Sequence, residues 1–324
     1  MSFTNLDFAE EVKEINEYLT TLKNQSPYDE EINELIIHIL QNGGKRIRPL
    51  ICLLSFEMIS NQSRNDDSLA AACALEVIHN ASLLVDDIFD KDIFRRNEKS
   101  FYLKYSTFAA LSISYSMSSL ALSLATKTKV LAVVEELIKA MHNLSSSLFL
   151  EERFRSGTKK MSKEEALLLI DRKTSSLFEA ASVIGVLLGA SSKNDRENMK
   201  NFGKYFGRAF QLRDDLLAIT STTKNLGKLG ALTDISNRIQ TYIVLETIDL
   251  AKPEERKILS KYYLDRKNYS PHKIRKIIAK SDSIDILKRK IDDYINMAIE
   301  ILERYSGSKP REKLISIANA LRMK

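Results

Sequence analysis

Three features of the sequence predict an all-α fold. Only 10 glycines and 5 prolines occur in 324 residues, too few for the many tight turns of a sandwich or barrel. Apolar residues recur at helical spacing along most of the chain, and alternation at period two never lasts more than a few residues. Hydrophobic residues make up 44% and charged residues 28%, a balance that supplies a large core and excludes a disordered chain. The expected architecture is one large helical domain over residues 1–324, with ten or more helices around a central cavity or core.

The elements follow in order. Leu35, Ile36, Ile39 and Leu40 share one helix face, and Asn42-Gly43-Gly44 stops that helix. The runs 50–58 and 71–84 repeat the pattern, with the polar stretch 61–67 between them read as a loop. Residues 105–126 carry no charge and are numerous enough to span a bilayer. Their seven serines lower the hydropathy, so the stretch reads as a buried helix, and no membrane span is expected. Residues 157–163 form a second polar loop, and Ser162 with Glu165 makes a capping box at its end. Helical runs continue at 164–170, 177–188, 202–217, 241–250 and 284–302. The gap 220–234, with Gly227, Lys228 and Gly230, has the composition of a mobile lid. From about 252 to 324 the chain is more basic and is expected to form a peripheral helical layer; no linker or fixed repeat is visible.

Cys52 and Cys73 both fall in apolar helical runs. They are expected to be reduced core residues of a cytoplasmic protein, which excludes a disulfide framework and a cysteine-based zinc site. The chain does not open on a basic stretch followed by an apolar run, so no secretory signal is expected. The net charge of +6 suits an anionic partner: nucleic acid, a lipid headgroup or a phosphorylated small molecule. Acids and bases are interleaved, as from Lys159 to Glu165, so charge alone selects none of these.

Two acidic clusters carry more information. Asp86, Asp87 and Asp90 end an apolar helical run. Asp86 and Asp90 are four apart and share a helix face, where two carboxylates repel unless a cation lies between them. Hard oxygen ligands in that arrangement suit Mg²⁺, above all when substrate phosphates complete its shell. Asp214 and Asp215 form a second pair after Phe210-Gln211-Leu212-Arg213. Basic residues accompany them: Lys45, Arg46 and Arg48 after two glycines, Arg95-Arg96, Lys173 with Thr174 at the opening of a helix, and Lys228 in the glycine-bordered loop. Glycines let the backbone approach an anion, and Lys45 and Arg48 lie three apart on one face of the following helix. Arginine grips phosphate as a fork and lysine as a point charge. Together these groups describe a site for two diphosphates. DNA phosphates would be repelled by carboxylates so placed, so no nucleic-acid partner is expected.

Six blocks in this order resemble the trans-isoprenyl diphosphate synthases, or polyprenyl synthases: residues 43–49, 76–90, 95–96, 173–178, 210–215 and 227–230. The resemblance covers about 35–240. It implies an all-α bundle around a deep apolar cavity, usually a homodimer, with a heteromer as the other possibility. It implies about three Mg²⁺ per active site, held by Asp86, Asp90 and Asp214, with Asp87 and Asp215 behind them. Lys45, Arg48, His79 and Arg96 match positions that bind isopentenyl diphosphate. Arg95, Lys173, Gln211 and Lys228 match positions around the allylic diphosphate, and Thr174 lies by the carbocation. Lys173, Thr174, Gln211 and Lys228 are thus the candidate catalytic groups. Ser82 and Ala81, four and five before Asp86, are small, and Ile78 is one turn deeper. In this family small residues there let the chain lengthen, which implies a product of twenty carbons or more.

The sequence departs from the family pattern at several places. Ala218 stands where a third Asp is usual, Val85 for a common His, Asn97 for a frequent Gly, and Ile113-Ser114 for a Gly-Asp pair. Residues 234–239 lack a Gly-Lys pair, for which Arg238 is the nearest substitute, and Asp234 is placed to help Asp214. These losses define a second hypothesis, a weak or silent subunit that tunes an active partner. A class I terpene cyclase is disfavoured, because it does not need the Gly-Gly-Lys-Arg-x-Arg block.

Overall fold

The computed structural model describes residues 8–24, 29–156, 160–220, 232 and 234–323. The described residues are helical almost throughout. The strand pair β1 (Phe94–Arg95) and β2 (Glu98–Lys99) is a two-residue hairpin. The all-α expectation is met. The chain divides into two compact units.

The first unit comprises Met1–His142, Leu177–Gly203 and Ile299–Ala320. It contains α1 (Ala9–Thr21), α2 (Glu30–Gln41), α3 (Ile47–Ser60), α4 (Asp66–Asp90), α5 (Phe101–Lys104), α6 (Thr107–Lys127) and the first half of α7 (Leu131–Arg155). Most of α9 (Ser176–Leu188), the start of α10 (Lys193–Thr220) and α15 (Lys309–Asn319) complete it. Its centre is α4, whose residues Ala70 to Ile78 are nearly inaccessible. Asn65 starts that helix, accepting from the Ser68 backbone while the Ser68 hydroxyl accepts from Asn65. The helix therefore begins inside the stretch read as a loop. Small residues let helices close in: a Cβ on Gly185 would lie 2.2 Å from the Cys52 carbonyl oxygen. Both cysteines are buried thiols, pushed up by burial.

Expectation and structure part at α6. Its Ala110, Ile113, Met117, Leu120 and Leu124 are buried, but its other face is open, with Phe108 84% and Tyr115 76% exposed. Helices α4 and α6 are both long and apolar enough to cross a membrane, by length and composition only. Ser112, Ser119 and Ser123 are exposed on that helix and need no burial.

The second unit comprises Asn143–Ser176, Lys204–Ala298 and Leu321–Lys324. It holds the second half of α7, α8 (Lys163–Ile170), a π-helical turn (Asp171–Ser175), the main part of α10, α11 (Tyr242–Leu250), α12 (Pro253–Tyr263), α13 (Pro271–Ala279) and most of α14 (Ser283–Leu302). The Ser162–Glu165 capping box opens α8 as expected. Prolines stand in the first turns of α12 and α13, where a missing N–H costs nothing. Of the lid, only Thr220, Leu232 and Asp234 lie within the described residues; Gly227, Lys228 and Gly230 do not.

Candidate active site

In the first unit the site is built on the end of α4 and the hairpin that follows. Asp86 and Asp90 are part-exposed on the last turns of α4, while Asp87 is 2% exposed. Asp87 accepts from Arg95 through Nε at 2.7 Å and through Nη2, and Arg95 Nη2 also reaches Asp92 at 3.2 Å. Burial pushes the Asp87 carboxyl up, against the pull of the Arg95 guanidinium. Asp87 thus orients an arginine and leaves Asp86 and Asp90 to face outward.

The hairpin explains the paired arginines. Arg95 pairs with Glu98, so Arg96 and Asn97 form the two-residue turn, with φ of 50° and 68°. A turn with both central residues left-handed follows the twist of the strands, and asparagine tolerates that conformation. Asn97 therefore takes a conformation that glycine would otherwise supply. Arg96 Nη1 donates to the carbonyls of Asn42 (3.0 Å) and Gly43 (2.9 Å) and to Asn80 Oδ1 (3.2 Å).

The Gly-Gly-Lys-Arg segment differs from its expected form. Helix α3 starts at Ile47, and Arg46, its N-cap, is left-handed at φ 51°. Lys45 therefore precedes the helix, exposed, and does not share a helix face with Arg48. Arg46 points inward, 4% exposed. Its Nη1 donates to Glu76 at 2.6 Å and its Nε to Asn16 at 3.0 Å. Arg48, on the first turn, lies 4.5 Å over the Phe178 ring. His79 stands among these cations with a limited opening to solvent. Burial, then Arg48, Arg96, Arg95 and Arg46, hold its ring well below the ordinary histidine value, so the imidazole is neutral near pH 7. The chain-length candidates lie earlier on α4: Ile78 and Ala81 are buried, Ser82 is half-buried, and Ser114 of α6 donates to the Ala81 carbonyl at 3.1 Å.

In the second unit Lys173 and Thr174 do not open a helix. They lie in the π-turn between α8 and α9. Such turns re-aim side chains and recur at functional sites. Two contacts fix this one. Arg208 grips Asp171 as a fork, at 2.7 Å through both Nε and Nη2. Gly207 lets α10 approach so closely that a Cβ there would lie 2.5 Å from Ser175 Cα. Lys173 Nζ is held at 2.8 Å by Glu151, a carboxylate 5% exposed. Thr174 donates to Gln211 Oε1 at 2.6 Å, and Gln211 Nε2 donates to Asp215 Oδ1 at 2.8 Å.

The second acidic pair is divided. Asp214 is 47% exposed beside Arg213. Asp215 is 6% exposed, and burial pushes it up to about 8, with Asp234 and Asp214 adding to the rise and Gln211 opposing it. It carries a proton near neutral pH. Ala218 lines a small cavity with Asp215, Asp234, Thr241 and Tyr263.

The sequence reading missed Glu76, Asn80, Glu151, Asp171 and Arg208. Glu151–Arg155 and Glu76–Asn80, each at i,i+4, were readable pairs; the partnerships of Glu76 with Arg46, Asn80 with Arg96, Glu151 with Lys173 and Asp171 with Arg208 are long-range. No group of three or more His, Cys, Asp or Glu among the described residues could hold an ion unaided. Mg²⁺ commonly takes one or two carboxylates and completes its shell with water and phosphate oxygens. The donors at Asp86, Asp90 and Asp214 are of that hard kind.

Comparison with known proteins gives the family. The model for polyprenyl synthetases matches residues 29–281. The geranylgeranyl diphosphate synthase of Sulfolobus acidocaldarius is 30% identical over 316 residues, 95% of this chain and 94% of that one. Among solved structures, the heptaprenyl diphosphate synthase of Staphylococcus aureus superposes with a TM-score of 0.86 at 26% identity, covering 98% of each chain. The geranylgeranyl pyrophosphate synthetase of Pyrococcus horikoshii gives 0.86 at 27% identity, over 97% of this chain and 96% of that one. The chain belongs to the polyprenyl synthetase family and is a transferase of prenyl groups.

Proposed function

We propose that the protein condenses isopentenyl diphosphate with dimethylallyl, geranyl or farnesyl diphosphate, making geranylgeranyl diphosphate or a longer trans product. The observation that carries this reading is the end of α4, where Asp87 anchors Arg95 and leaves Asp86 and Asp90 on one face. Asp86 and Asp90, and separately Asp214, would hold Mg²⁺, which would supply positive charge that favours diphosphate as a leaving group.

The chain's own residues do the rest. Arg95 and Lys173, pinned by Asp87 and Glu151, bind allylic diphosphate oxygens without reorganising. Lys228, outside the described residues, is assigned to the same group by its motif. Lys45, Arg48, Arg96 and neutral His79 bind isopentenyl diphosphate. The allylic C–O bond ionises, the isopentenyl double bond attacks the cation, and a proton leaves, accepted by the released diphosphate. Thr174 and Gln211, oriented by protonated Asp215, present oxygen dipoles rather than a nucleophile to the cation. Ala81, Ser82 and Ile78 line the path of the growing chain along α4.

Purified protein, Mg²⁺ and labelled isopentenyl diphosphate, offered each allylic acceptor in turn, should give a twenty-carbon or longer product that EDTA abolishes. Folded protein that makes nothing with any acceptor would overturn the reading and favour the silent subunit, which an intact first cluster and the synthase names of the relatives otherwise disfavour. Ala81→Phe should shorten the product on chromatography; an unchanged length would remove Ala81 from the path. Phe108, Tyr115, Leu131 and Ile138, 50–84% exposed along α6 and the start of α7, support a homodimer. Light scattering should then read twice 36.9 kDa, and the monomer mass would overturn it. The buried reduced cysteines support a cytoplasmic location.

A further inference from the structure

A line of buried polar groups runs from the core of the first unit to Arg96. Arg46 and Glu76, each 3% exposed at the side chain, pair at 2.6 Å. One turn on, Asn80 is 1% exposed. Its Nδ2 donates to the Glu76 carbonyl at 2.8 Å and to Glu76 Oε1 at 3.2 Å. Its Oδ1 accepts from Arg96 Nη1 at 3.2 Å. The chemistry allows one orientation of the amide. Glu76 offers only acceptors and Arg96 only donors, so a flipped Asn80 would clash with both.

We propose that Asn80 is a positioning residue for Arg96, and that it sets the affinity for isopentenyl diphosphate without touching it. The inference rests on the assignment of Arg96 to that substrate. All three acceptors engage Nη1 alone, which leaves Nε and Nη2 for an anion. Gly44 makes the room, since a Cβ there would lie 3.2 Å from both Arg96 Nη2 and Arg46 Nη1. Glu76 balances one of two guanidinium charges brought together under that glycine. Asn80 passes its acceptor character outward by one hydrogen bond. A guanidinium fixed before the substrate arrives loses less entropy on binding than one that must be ordered.

The test compares Asn80→Ala with Asn80→Asp, each first checked for folding by circular dichroism and thermal melting. Asn80→Ala should raise KM for isopentenyl diphosphate about tenfold, with KM for the allylic substrate and kcat within about twofold. Asn80→Asp keeps the acceptor toward Arg96 and brings the local charge to two against two, so its KM should stay near the wild-type value. A purely structural role predicts the reverse order, because Asn80→Asp adds a buried carboxylate beside Glu76. Calorimetric binding of isopentenyl diphosphate supplies the same comparison without turnover. An unchanged Asn80→Ala isotherm, equal rises in both KM values, or Asn80→Asp worse than Asn80→Ala would overturn the inference alone. Wild-type protein that binds no isopentenyl diphosphate would overturn the functional reading beneath it.

Discussion

The acidic end of α4 and the acidic segment of α10 use the same residue type in opposite ways. At α4, the buried Asp87 is paired with Arg95, so the upward push of burial is opposed by a guanidinium, and the neighbouring Asp86 and Asp90 stay half-open to solvent. At α10, the buried Asp215 meets an amide, Gln211, and two other carboxylates, and holds its proton up to about pH 8. A buried carboxylate stays ionised only when something local supplies the compensating charge. The two segments therefore have unequal charge to offer a cation: two outward carboxylates at α4 against Asp214 at α10, where Ala218 leaves a hollow in place of a third.

The widest separation of the two should come from truncation. Asp86→Ala is expected to lower kcat/KM by about 10³-fold or more, and Asp214→Ala by about ten- to a hundredfold. Equal losses in steady-state assays would erase the distinction. The α10 segment is tested next through its scaffold. Gly207→Ala puts a methyl against the Ser175 backbone, which has no flexible end to yield, and should cost about 1–3 kcal/mol in denaturant unfolding. A neutral result would mean that α10 is free to move off the π-turn. Filling the hollow gives a smaller effect: Ala218→Asp should lower the Mg²⁺ concentration for half-maximal rate about fivefold. No change, or a rise, would show that the Asp215–Asp234 pocket repels a third acid rather than recruiting it. The smallest effect belongs to α4. His79 is neutral when folded and takes up a proton near 6.5 when unfolded. The unfolded state then binds more protons as the pH falls through 6.5, and stability is lost by at most about 1.4 kcal/mol per pH unit. His79→Gln should flatten that slope in melts between pH 7.5 and 5.5; an identical slope would place the titration elsewhere.

What could be read from the chain depended on the distance between partners. The helices, the Asn42-Gly43-Gly44 stop, the Ser162–Glu165 cap and the Asp86–Asp90 spacing are written within a few residues of one another, and the structure has them. The π-turn is not written locally. Lys173-Thr174 reads as the opening of a new helix, and the groups that hold the turn, Gly207 and Arg208, stand about 35 positions away in the sequence. Glu76 opens the 76–90 block without a role legible there, because nothing nearby in sequence announces Arg46 as its partner thirty residues earlier. The left-handed Arg46 moved Lys45 off the helix, and its contacts with Glu76 and Asn16 hold that conformation. The open face of α6 was misjudged because hydropathy too low for a bilayer was equated with burial on every side.

The widened turn at Asp171–Ser175 leaves the two stretches of helix on either side one residue out of phase. Shortening this stretch by a single residue would therefore restore a regular spiral and sweep Lys173 about 100° around the axis, away from Glu151. A perfect helix here would be a worse scaffold than the flawed one.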